Sequence, residues 1–451
     1  MTFSSFDLNP ALLRGVADMG FNEPTPIQRD GIPPALDGRD VLACAMTGSG
    51  KTAAFLLPLM NRLLAGKRGQ TRALVLAPTR ELAAQIVEHF TALARHTNLR
   101  AMAVYGGVPM PPQERALRRG VDLVVACPGR LLDHMQYPYA KLAGLEILVL
   151  DEADRMLDMG FLPDIKRILG QLPRIDQTML FSATVPKPIV TLARQMMDNP
   201  TVLNIERPSA PAEGVHQEIY QVPEGLKPLL LLTLLREGKL DNALVFTRTK
   251  HRANRLAEFL QRNKIASERI HGNRSQGQRT QALAGFKSGR YRVLVATDVA
   301  ARGIDISELS HVVNFDVPNV PDDYIHRVGR TARAGATGDA ITFASPKERR
   351  ELQAIERAVG KKISRVALEG FDYNQHPKER FEIPIGERIA QIRARKADER
   401  ARARAKAARK VQNGTERQPR GMVAVGAAAG PRGAGSEAPS RPRRRRAGRR
   451  R

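Results

Sequence analysis

Short apolar runs alternate with longer segments of helical periodicity along the chain as far as about Glu369. In the first half these runs are apolar on both faces, which is typical of strands in a parallel sheet that helices cover on each side. They are DVLACA at Asp40, RALVLA at Arg72, DLVVAC at Asp122, EILVLD at Glu146 and TMLFSA at Thr178. The pattern predicts an α/β domain built on a parallel sheet.

The alternation stops at IERPSAPAEG (Ile205 to Gly214), a proline-containing stretch, and then starts again. The strand-like runs of the second half are HQEIYQV, NALVFT, RVLVATD, SHVVNFD and DAITFA. Two consecutive α/β domains with a cleft between them explain this organisation most simply. We therefore predict a first domain over residues 1–205, a linker over 206–216 and a second domain over 217–370.

The remaining segment, residues 371–451, has a different composition. From Gln391 to Arg451 the chain carries 20 Lys and Arg against 4 Asp and Glu, and after Asn413 a mixture of Gly, Ala, Pro and Arg dominates. Such a segment cannot bury enough apolar surface to fold alone, so we predict a basic, largely disordered tail. Its charge favours nucleic acid as a partner, and a solubilising appendage is the alternative.

The composition of the whole chain fits the same class of partner, because its formal net charge is +26 over 451 residues. The two cysteines, Cys44 and Cys127, form neither a disulfide framework nor a metal-binding pattern, and they suit a reducing compartment. No apolar run approaches the ~18 residues of a membrane span, and no secretory signal is evident. We expect a soluble, cytoplasmic protein.

The segment AMTGSGKT (Ala45 to Thr52) follows a predicted strand and precedes a predicted helix, which is the context of a phosphate-binding loop. Gly48 and Gly50 allow backbone N–H groups to turn toward an anion, and the helix adds its positive N-terminal end. Lys51 can supply a cation to the β- and γ-phosphates, and the Thr52 hydroxyl can ligate Mg²⁺. A glycine-rich turn with an incidental lysine is the alternative.

Three carboxylates in four residues, Asp151, Glu152 and Asp154, end the predicted strand EILVLD. Unpaired carboxylates at a core edge are costly to desolvate, so either cations meet them there or they begin a solvated helix. The phosphate loop favours the first explanation, because Asp151 can hold Mg²⁺ and Glu152 can orient and deprotonate an attacking water. Ligands of open α/β sheets bind at such strand ends. For Asp154 alone, the helix start stays open.

With DEAD and AMTGSGKT, the chain resembles the DEAD-box family of RNA helicases in helicase superfamily 2. The other motifs of the family also appear in their usual order, over about residues 3 to 370. They are GFNEPTPIQ, APTRELAAQ, the GG at Gly106–Gly107, CPGR, SAT, VFTRT, QGQR, VATDVAARGID and HRVGRTAR. The resemblance implies two tandem RecA-like domains with a nucleotide and RNA cleft between them. It also implies an ATP-dependent RNA helicase that separates short duplexes locally. The bacterial RhlE type is the most similar subgroup, and this analogy suggests ribosome assembly or RNA turnover.

The resemblance implies roles for individual residues. Phe21 stacks on adenine, Gln28 reads the edge of the base, and Asp305 faces the ribose. The loop around the phosphates consists of Ala45, Met46, Thr47, Gly48, Ser49, Gly50, Lys51 and Thr52. The implied catalytic residues are Glu152, Lys51 and the two arginine fingers, Arg330 and Arg333. The implied RNA contacts are Thr79, Arg80, Gly107, Pro128, Gly129, Arg130, Arg279 and Thr297. Residues implied to couple hydrolysis to strand separation are Ser182, Thr184, Asp154 and Arg327, with Arg327 supporting the DEAD segment.

Three arginines in the last motif, Arg327, Arg330 and Arg333, recur at three-residue spacing, which predicts one side of a helix. A solvated basic face is the alternative to an interdomain phosphate clamp. Two positions depart from the family pattern: Met46 replaces a polar residue, and Cys127 replaces a threonine. Because a thiol is a weak donor, we expect Pro128–Arg130 to make the RNA contact instead.

Two other functions compete with the helicase. An ATP-gated RNA clamp without hydrolysis could lose Glu152, Arg330 or Arg333, and this chain keeps all three. A DNA helicase of the same superfamily is disfavoured by the adenine-reading stretch and by SAT. We expect ATP and Mg²⁺ as cofactors and a monomeric core. The expected partner is RNA bound largely through its backbone, with ribosomal precursors or RNA-decay proteins as further partners.

Overall fold

The structure, a computed structural model, describes residues 1–45, 48–204, 214–301, 309–331 and 337–375, together with 393–394 and 397–399. The chain divides into two units, Met1–Phe381 and Glu382–Arg451. In the second unit, the described residues are helical. The predicted linker over 206–216 lies outside the described residues except for its last three positions, and most of the predicted tail lies outside them as well.

The first sheet of the larger unit is parallel throughout, with the strand order β3-β4-β2-β5-β6-β1-β7. Its strands are β1 (Val41–Cys44), β2 (Ala73–Leu76), β3 (Ala101–Val104), β4 (Leu123–Ala126), β5 (Ile147–Leu150), β6 (Gln177–Ser182) and β7 (Thr201–Asn204). The accompanying helices are α1 (Pro10–Asp18), α2 (Pro26–Leu36), α3 (Lys51–Leu64), α4 (Arg80–Leu93), α5 (Met110–Arg119), α6 (Pro128–Met135), α7 (Ala153–Asp158), α8 (Leu162–Leu169) and α9 (Lys187–Met196).

The second sheet is also parallel, with the order β10-β11-β9-β12-β13-β8-β14. Its strands are β8 (Val215–Gln221), β9 (Ala243–Phe246), β10 (Ser267–Ile270), β11 (Val293–Ala296), β12 (His311–Asn314), β13 (Gly338–Ala344) and β14 (Ser364–Val366). The helices are α10 (Lys227–Arg236), α11 (Lys250–Arg262), α12 (Gln276–Lys287), α13 (Asp298–Ala301), α14 (Pro321–Val328) and α15 (Arg349–Val359). Three short 3₁₀ helices complete the described elements, at Phe3–Ser5, Glu224–Leu226 and Pro346–Glu348.

Helices cover both faces of each sheet, as the two-sided apolar runs predict. In β5, Ile147 and Val149 pack into one hydrophobic cluster, and Leu148 and Leu150 pack into another on the opposite face. Successive side chains of a strand point to opposite faces, so a strand covered on both sides has to be apolar at every position. The prediction of two tandem parallel α/β domains is confirmed, and the boundaries proposed between them stay a prediction.

One local expectation is wrong. Arg330 is not part of the helix that carries Arg327, because α14 ends at Val328 and Gly329 caps it. Arg330 lies in the turn that follows, where its N–H donates to Arg327 O over 3.1 Å. Thr331 then pairs with Leu309 in an isolated parallel bridge. None of the helices among the described residues is long and apolar enough to cross a membrane.

Candidate functional site

The loop before α3 has the backbone geometry of an anion-binding turn. Gly48 and Gly50 have φ angles of 88° and 93°, in the left-handed region that favours glycine. A Cβ at Gly50 would also lie 2.5 Å from Gln28 Nε2, which leaves no space for a side chain. Ser49 lies between the two glycines, and Met46 and Thr47 lie outside the described residues. Thr52 is in the first turn of α3.

Helix α2 supports this loop through its first turn. Gln28 Nε2 donates to Gly50 O over 3.0 Å, and Thr25 Oγ1 donates to Ser49 O over 2.8 Å. Gln28 Oε1 accepts from Thr25 N over 2.9 Å, and the side chain is buried. Phe21, half-buried, stacks on Phe3 with ring centroids 6.2 Å apart. The segment predicted to read adenine thus also holds the phosphate loop in shape.

Lys51 and Asp151 are both buried at the carboxyl ends of the first sheet's strands. Lys51 Nζ donates to Ala45 O over 2.9 Å, which closes the loop on itself. Burial raises the pKa of Asp151 to about 6, and the nearby Lys51 ammonium works against that rise. Asp151 Oδ1 accepts from Glu152 N over 2.9 Å. The aspartate is therefore a buried carboxylate that lacks full compensation by positive charge.

Glu152 adopts a left-handed backbone conformation with a φ angle of 52°. For a residue with a side chain this conformation is strained by roughly 1 kcal/mol or more, and such strain concentrates at functional sites. Its Oε2 lies 3.2 Å from Arg155 Nη1, and both side chains are buried. Sequence reasoning missed Arg155, although its place directly after the three carboxylates of the DEAD segment was the available signal.

Asp154 joins the DEAD segment to the SAT segment. Its Oδ2 accepts from Thr184 N over 2.8 Å, and its own N–H donates to Ser182 Oγ over 3.1 Å. Ser182 Oγ in turn donates to Thr184 O over 2.6 Å. All three residues were predicted to take part in coupling, and the structure brings them together. Asp154 also lies in the first turn of α7, where it is buried, so it does not begin a solvated helix.

A small crevice between the two domains brings Arg155 of the first domain against His326, Arg327 and Arg330 of the second. Burial, followed by the effect of the nearby Arg155 guanidinium, lowers the pKa of His326 to about 4. The ring is therefore neutral at physiological pH. His326 lies in the motif HRVGRTAR, but its position opposite the DEAD segment was not anticipated. Arg330 is buried in this crevice, and Arg333 and Asp305 lie outside the described residues.

Arg327 is fixed within the second domain. Its Nε and Nη2 donate to the two Asp298 carboxylate oxygens over 2.6 and 2.9 Å, and Nη1 donates to Asn314 Oδ1 and Asp316 O. The guanidinium also lies over the Phe246 ring at 5.1 Å. These contacts orient the end of α14, which carries His326 and precedes Arg330. The predicted support of the DEAD segment by Arg327 itself stays a prediction.

Several of the predicted RNA contacts cluster at one place in the first domain. Arg80 follows Thr79, whose Oγ1 caps α4 by accepting from Leu82 N over 3.2 Å. Gly107 has a φ angle of 80°, and a Cβ there would overlap the Arg80 guanidinium. Arg130 Nη1 donates to Val108 O over 3.0 Å, so α6 is tied to the same loop.

The N-terminus of α6 is Pro128 and Gly129, preceded by Cys127 at the cap position. Space around Gly129 is open, since a Cβ there would contact nothing within 4 Å. Burial raises the pKa of Cys127 to about 12, with the Glu81 carboxylate adding to the effect. The thiol is therefore neutral and is a weak donor, as its type predicts.

In the second domain, Arg279 pairs with a residue of the first. Arg279 Nη2 lies 2.9 Å from Glu81 Oε2, and Gln276 Nε2 donates to Glu81 Oε1 over 3.1 Å. Glu81 and Arg279 are both buried. The resemblance assigned Arg279 to RNA, and the sequence analysis missed Glu81, which belongs to the motif APTRELAAQ. Thr297 lies half-buried at the end of β11, and its carbonyl accepts from Ala300 N over 2.9 Å.

Two family profiles match the chain. That of the DEAD/DEAH box helicases matches residues 25–192, and that of the helicase conserved C-terminal domain matches residues 226–335. The DEAD-box ATP-dependent RNA helicase CshA of Bacillus cereus is 43% identical over 376 residues, which cover 82% of this chain and 71% of the relative. CshA of Bacillus subtilis is 42% identical over 394 residues, covering 86% and 79%.

Solved structures of similar proteins agree in fold. Dbp5 of S. cerevisiae, bound to RNA and ADP BeF3, is 32% identical with a TM-score of 0.74, covering 81% of this chain and 95% of that one. Mss116p, bound to ssRNA and AMP-PNP, is 27% identical with a TM-score of 0.73, covering 82% and 80%.

Proposed function

Because the chain belongs to the DEAD-box family of ATP-dependent RNA helicases, we propose that the site around Lys51, Asp151 and Glu152 is where it hydrolyses ATP. The protein is an RNA-stimulated ATPase by family, and the residue roles are our proposal. The observation that supports them best is the crevice between the domains. There Arg155, paired with Glu152, lies against His326 and Arg330 of the other domain.

In the proposed reaction, the phosphate loop and Lys51 bind the β- and γ-phosphates of ATP. The Glu152 carboxylate orients a water molecule toward the γ-phosphorus and accepts its proton. Arg330, and by resemblance Arg333, stabilise the negative charge that develops on the transferred group. Arg155 orients Glu152 through its 3.2 Å contact, so closure of the crevice and positioning of the base occur together.

Mg²⁺ suits this site, because that ion is usually held by one or two carboxylates together with substrate phosphates. Asp151 is buried with a pKa raised to about 6, so a cation beside it would relieve an uncompensated carboxylate. Asp151 and the Thr52 hydroxyl are the residues that would hold it. When bound, the ion supplies positive charge to the phosphate oxygens. No group of three or more His, Cys, Asp or Glu side chains forms a separate metal cluster within the described ranges.

RNA stimulates hydrolysis in this proposal because it bridges the domains. Arg80, Gly107 and the α6 N-terminus bind its backbone on the first domain, and Thr297 does so on the second. Such contacts read phosphate and 2′-OH groups with little sequence preference. Hydrogen bonds from Asp154 to Ser182 and Thr184 connect the hydrolytic carboxylates to the SAT segment. Domain closure on one strand then expels the other strand of a short duplex.

The physiological process is proposed by analogy. The similar proteins named CshA are bacterial DEAD-box helicases, and the narrower RhlE assignment stays a prediction. We propose that this protein remodels RNA or RNA–protein complexes in the cytoplasm, in ribosome assembly or RNA turnover. We also propose a monomeric core.

The first test of the proposed function replaces the base. Glu152→Gln removes the carboxylate charge while keeping the shape of the side chain, so we expect ATP turnover to fall ~10²-fold or more. ATP-dependent RNA binding should persist. Glu369→Gln, at an exposed position, is the control. Turnover at the level of the unmodified protein would assign the base elsewhere.

The second test compares nucleotides. Phe21 and Gln28 are predicted to read adenine, so RNA-stimulated hydrolysis should be much faster with ATP than with GTP. Steady-state hydrolysis of both nucleotides, with and without single-stranded RNA, measures the preference. Equal use of GTP would leave Gln28 with its role in supporting the phosphate loop and none in base recognition.

A further inference from the structure

An exposed tyrosine lies on the first domain, outside every residue assigned above. The most exposed large hydrophobic side chains of the described residues are Met1, Tyr137, Val202 and Val320, and Tyr137 is the aromatic one, with 50% exposure. Its ring stacks on that of Tyr139, with centroids 5.4 Å apart and planes inclined by 8°. Tyr137 follows α6 by two residues. The exposed face of this ring is available to stack on a flat aromatic group of a ligand.

The ring below Tyr137 is held rigidly. Tyr139 is buried, and its hydroxyl lies 3.0 Å from His134 Nδ1. The Arg118 guanidinium lies 4.8 Å from the centroid of the Tyr139 ring, within the range of a cation–π contact. We call Tyr137, Tyr139 and Arg118 the tyrosine platform. Because its lower ring is already ordered, little conformational entropy would be lost when a ligand stacks on the upper one.

The surroundings of the platform are basic. Arg115, Arg118 and Arg119 are exposed on α5, and Lys141 is exposed just beyond Tyr139. The carboxylates in this region are already paired with arginines. Glu114 lies 2.8 Å from Arg118, and Asp133 lies 3.4 Å from Arg130. A polyanion with flat aromatic groups matches both the charge and the exposed ring.

The platform also lies at the end of two helices that begin at the proposed RNA contacts. At their N-terminal ends, α5 and α6 are joined by Arg130 Nη1 and Val108 O, 3.0 Å apart. At their C-terminal ends they are joined by Arg118 and Tyr139. Helix α6 is about 12 Å long at 1.5 Å per residue. At about 3.4 Å per stacked nucleotide, a strand bound at Arg130 reaches the platform within roughly four nucleotides.

We propose that the tyrosine platform is an additional binding site for a base of single-stranded RNA, next to the contacts of the helicase motifs. It rests on the proposed function, since it extends the path of a strand bound at Arg130. The base stacks on the exposed face of Tyr137, and the α5 arginines bind the neighbouring phosphates. Stacking tolerates any base, so the site adds affinity for longer strands without adding sequence preference.

The test measures how affinity depends on strand length. Uridine homopolymers of increasing length are titrated into the full-length protein with AMP-PNP. Affinity of the unmodified protein should rise when the strand becomes long enough to reach Tyr137. Tyr137→Ala should lose that gain, about fivefold or more, which is the low end for removing a stacked base contact. Tyr137→Phe keeps the ring and should keep the gain. Val202→Ala, at a similarly exposed position, is the matched control.

A second probe identifies the base as the group that binds. A long strand with abasic sugars in its extension should bind the unmodified protein as weakly as Tyr137→Ala binds the intact strand. If Tyr137→Ala binds long strands as the unmodified protein does, the platform is not an RNA site, and its exposed ring belongs to a protein contact instead. If the unmodified protein binds no strand at all, the proposed function fails together with the platform. Thermal unfolding midpoints of the variants verify that the fold is intact.

Discussion

At the scale of single residues, burial sets the charge states around the strand ends. Asp151 is a carboxylate whose pKa rises to about 6, whereas His326 and His271 are imidazoles whose pKa values fall to about 4. In each case desolvation is the largest cause, because a buried site disfavours the charged form. At neutral pH Asp151 therefore stays mostly ionised, whereas both imidazoles are neutral.

His271 provides a prediction on pH and stability. Its Nδ1 accepts from Asn273 N over 3.3 Å, and its Nε2 lies 2.9 Å from Asn254 Oδ1, so the neutral ring satisfies both neighbours. Burial, together with the nearby Arg274 and Arg269, lowers its pKa from 6.5 to about 4. The unfolded chain therefore binds more protons between these values, and stability falls as the pH is lowered from about 6.5 toward 4.

The contribution of this histidine to the slope of the free energy of unfolding against pH is at most about 1.4 kcal/mol per pH unit. Denaturant unfolding at a series of pH values measures it, and His271→Gln should flatten the profile in this window. His89→Gln, on α4, is the control. An unchanged stability profile in His271→Gln would show that the His271 ring accepts a proton in the folded protein without loss of stability.

At the scale of elements, the apolar pattern identifies interior strands and misses edges. The strands it misses are β3, β7, β10 and β14, which are the outermost strands of the two sheets. An edge strand has one neighbour and is less covered by helices, so its sequence need not be apolar at every position. SERI in β10 and SRV in β14 illustrate this, with half-buried and exposed side chains.

Helix α5 holds the predicted RNA loop by one buried side chain. Gln113 Oε1 accepts from Tyr105 N over 3.1 Å, and its Nε2 donates to Tyr105 O over 3.2 Å. Gln113→Leu leaves both backbone groups without this partner, which costs about 1–3 kcal/mol of stability for an unsatisfied buried group. RNA affinity should fall as well, since Gly107 lies in the same loop. Gln171→Leu, at an exposed position, is the control, and unfolding and RNA titrations measure the two effects.

At the scale of the whole molecule, polar contacts across the cleft connect the two domains. Glu81 of the first domain accepts from Gln276 and Arg279 of the second. Glu81 and Arg279 are buried and Gln276 is half-buried, and these contacts exist only when the domains are together. In the proposed function, nucleotide and RNA each bind groups from both domains, so both act on this one equilibrium.

Glu81→Gln should weaken RNA binding in the presence of AMP-PNP. A hydrogen bond to a charged group is worth about 1.5–3 kcal/mol, so we expect a loss of about tenfold or more. Without nucleotide the loss should be small, because the contact belongs to the joined domains. Glu88→Gln, an exposed residue of the same helix, is the control. An equal loss with and without nucleotide would place the role of Glu81 within the first domain.

The basic tail provides a second prediction at this scale. Removing residues 391–451 deletes 20 Lys and Arg with only 4 Asp and Glu, and none of the helicase motifs. Each phosphate neutralised on single-stranded nucleic acid contributes about −0.7 to the slope of log affinity against log salt. The truncated protein should bind RNA more weakly at low salt and show a flatter slope. ATP turnover at saturating RNA should change little. Identical slopes would indicate a solubilising appendage.

Local features of this protein follow from the sequence alone. The phosphate loop can be recognised from the sequence because its function depends on local features. Gly48 and Gly50 allow the backbone to turn, and Lys51 begins the helix that follows. The DEAD carboxylates can be recognised because they directly follow a strand that is apolar at every position. The two-domain organisation follows from apolar runs that have to be buried on both faces. Each of these signals lies within a short stretch of chain, where spacing determines structure.

Only the tertiary structure decided the pairings between distant residues. Gln276 contacts Glu81 across 195 residues of chain, and His326 faces Arg155 from the other domain. Arg330 lies beyond the end of the helix that its spacing predicts, next to Thr331, which pairs with Leu309. The stack of Tyr137 on Tyr139 depends on how α6 ends and on Arg118 of a neighbouring helix. Sequence spacing carries no information on such contacts, because packing of the sheets and closure of the domains determine which side chains meet.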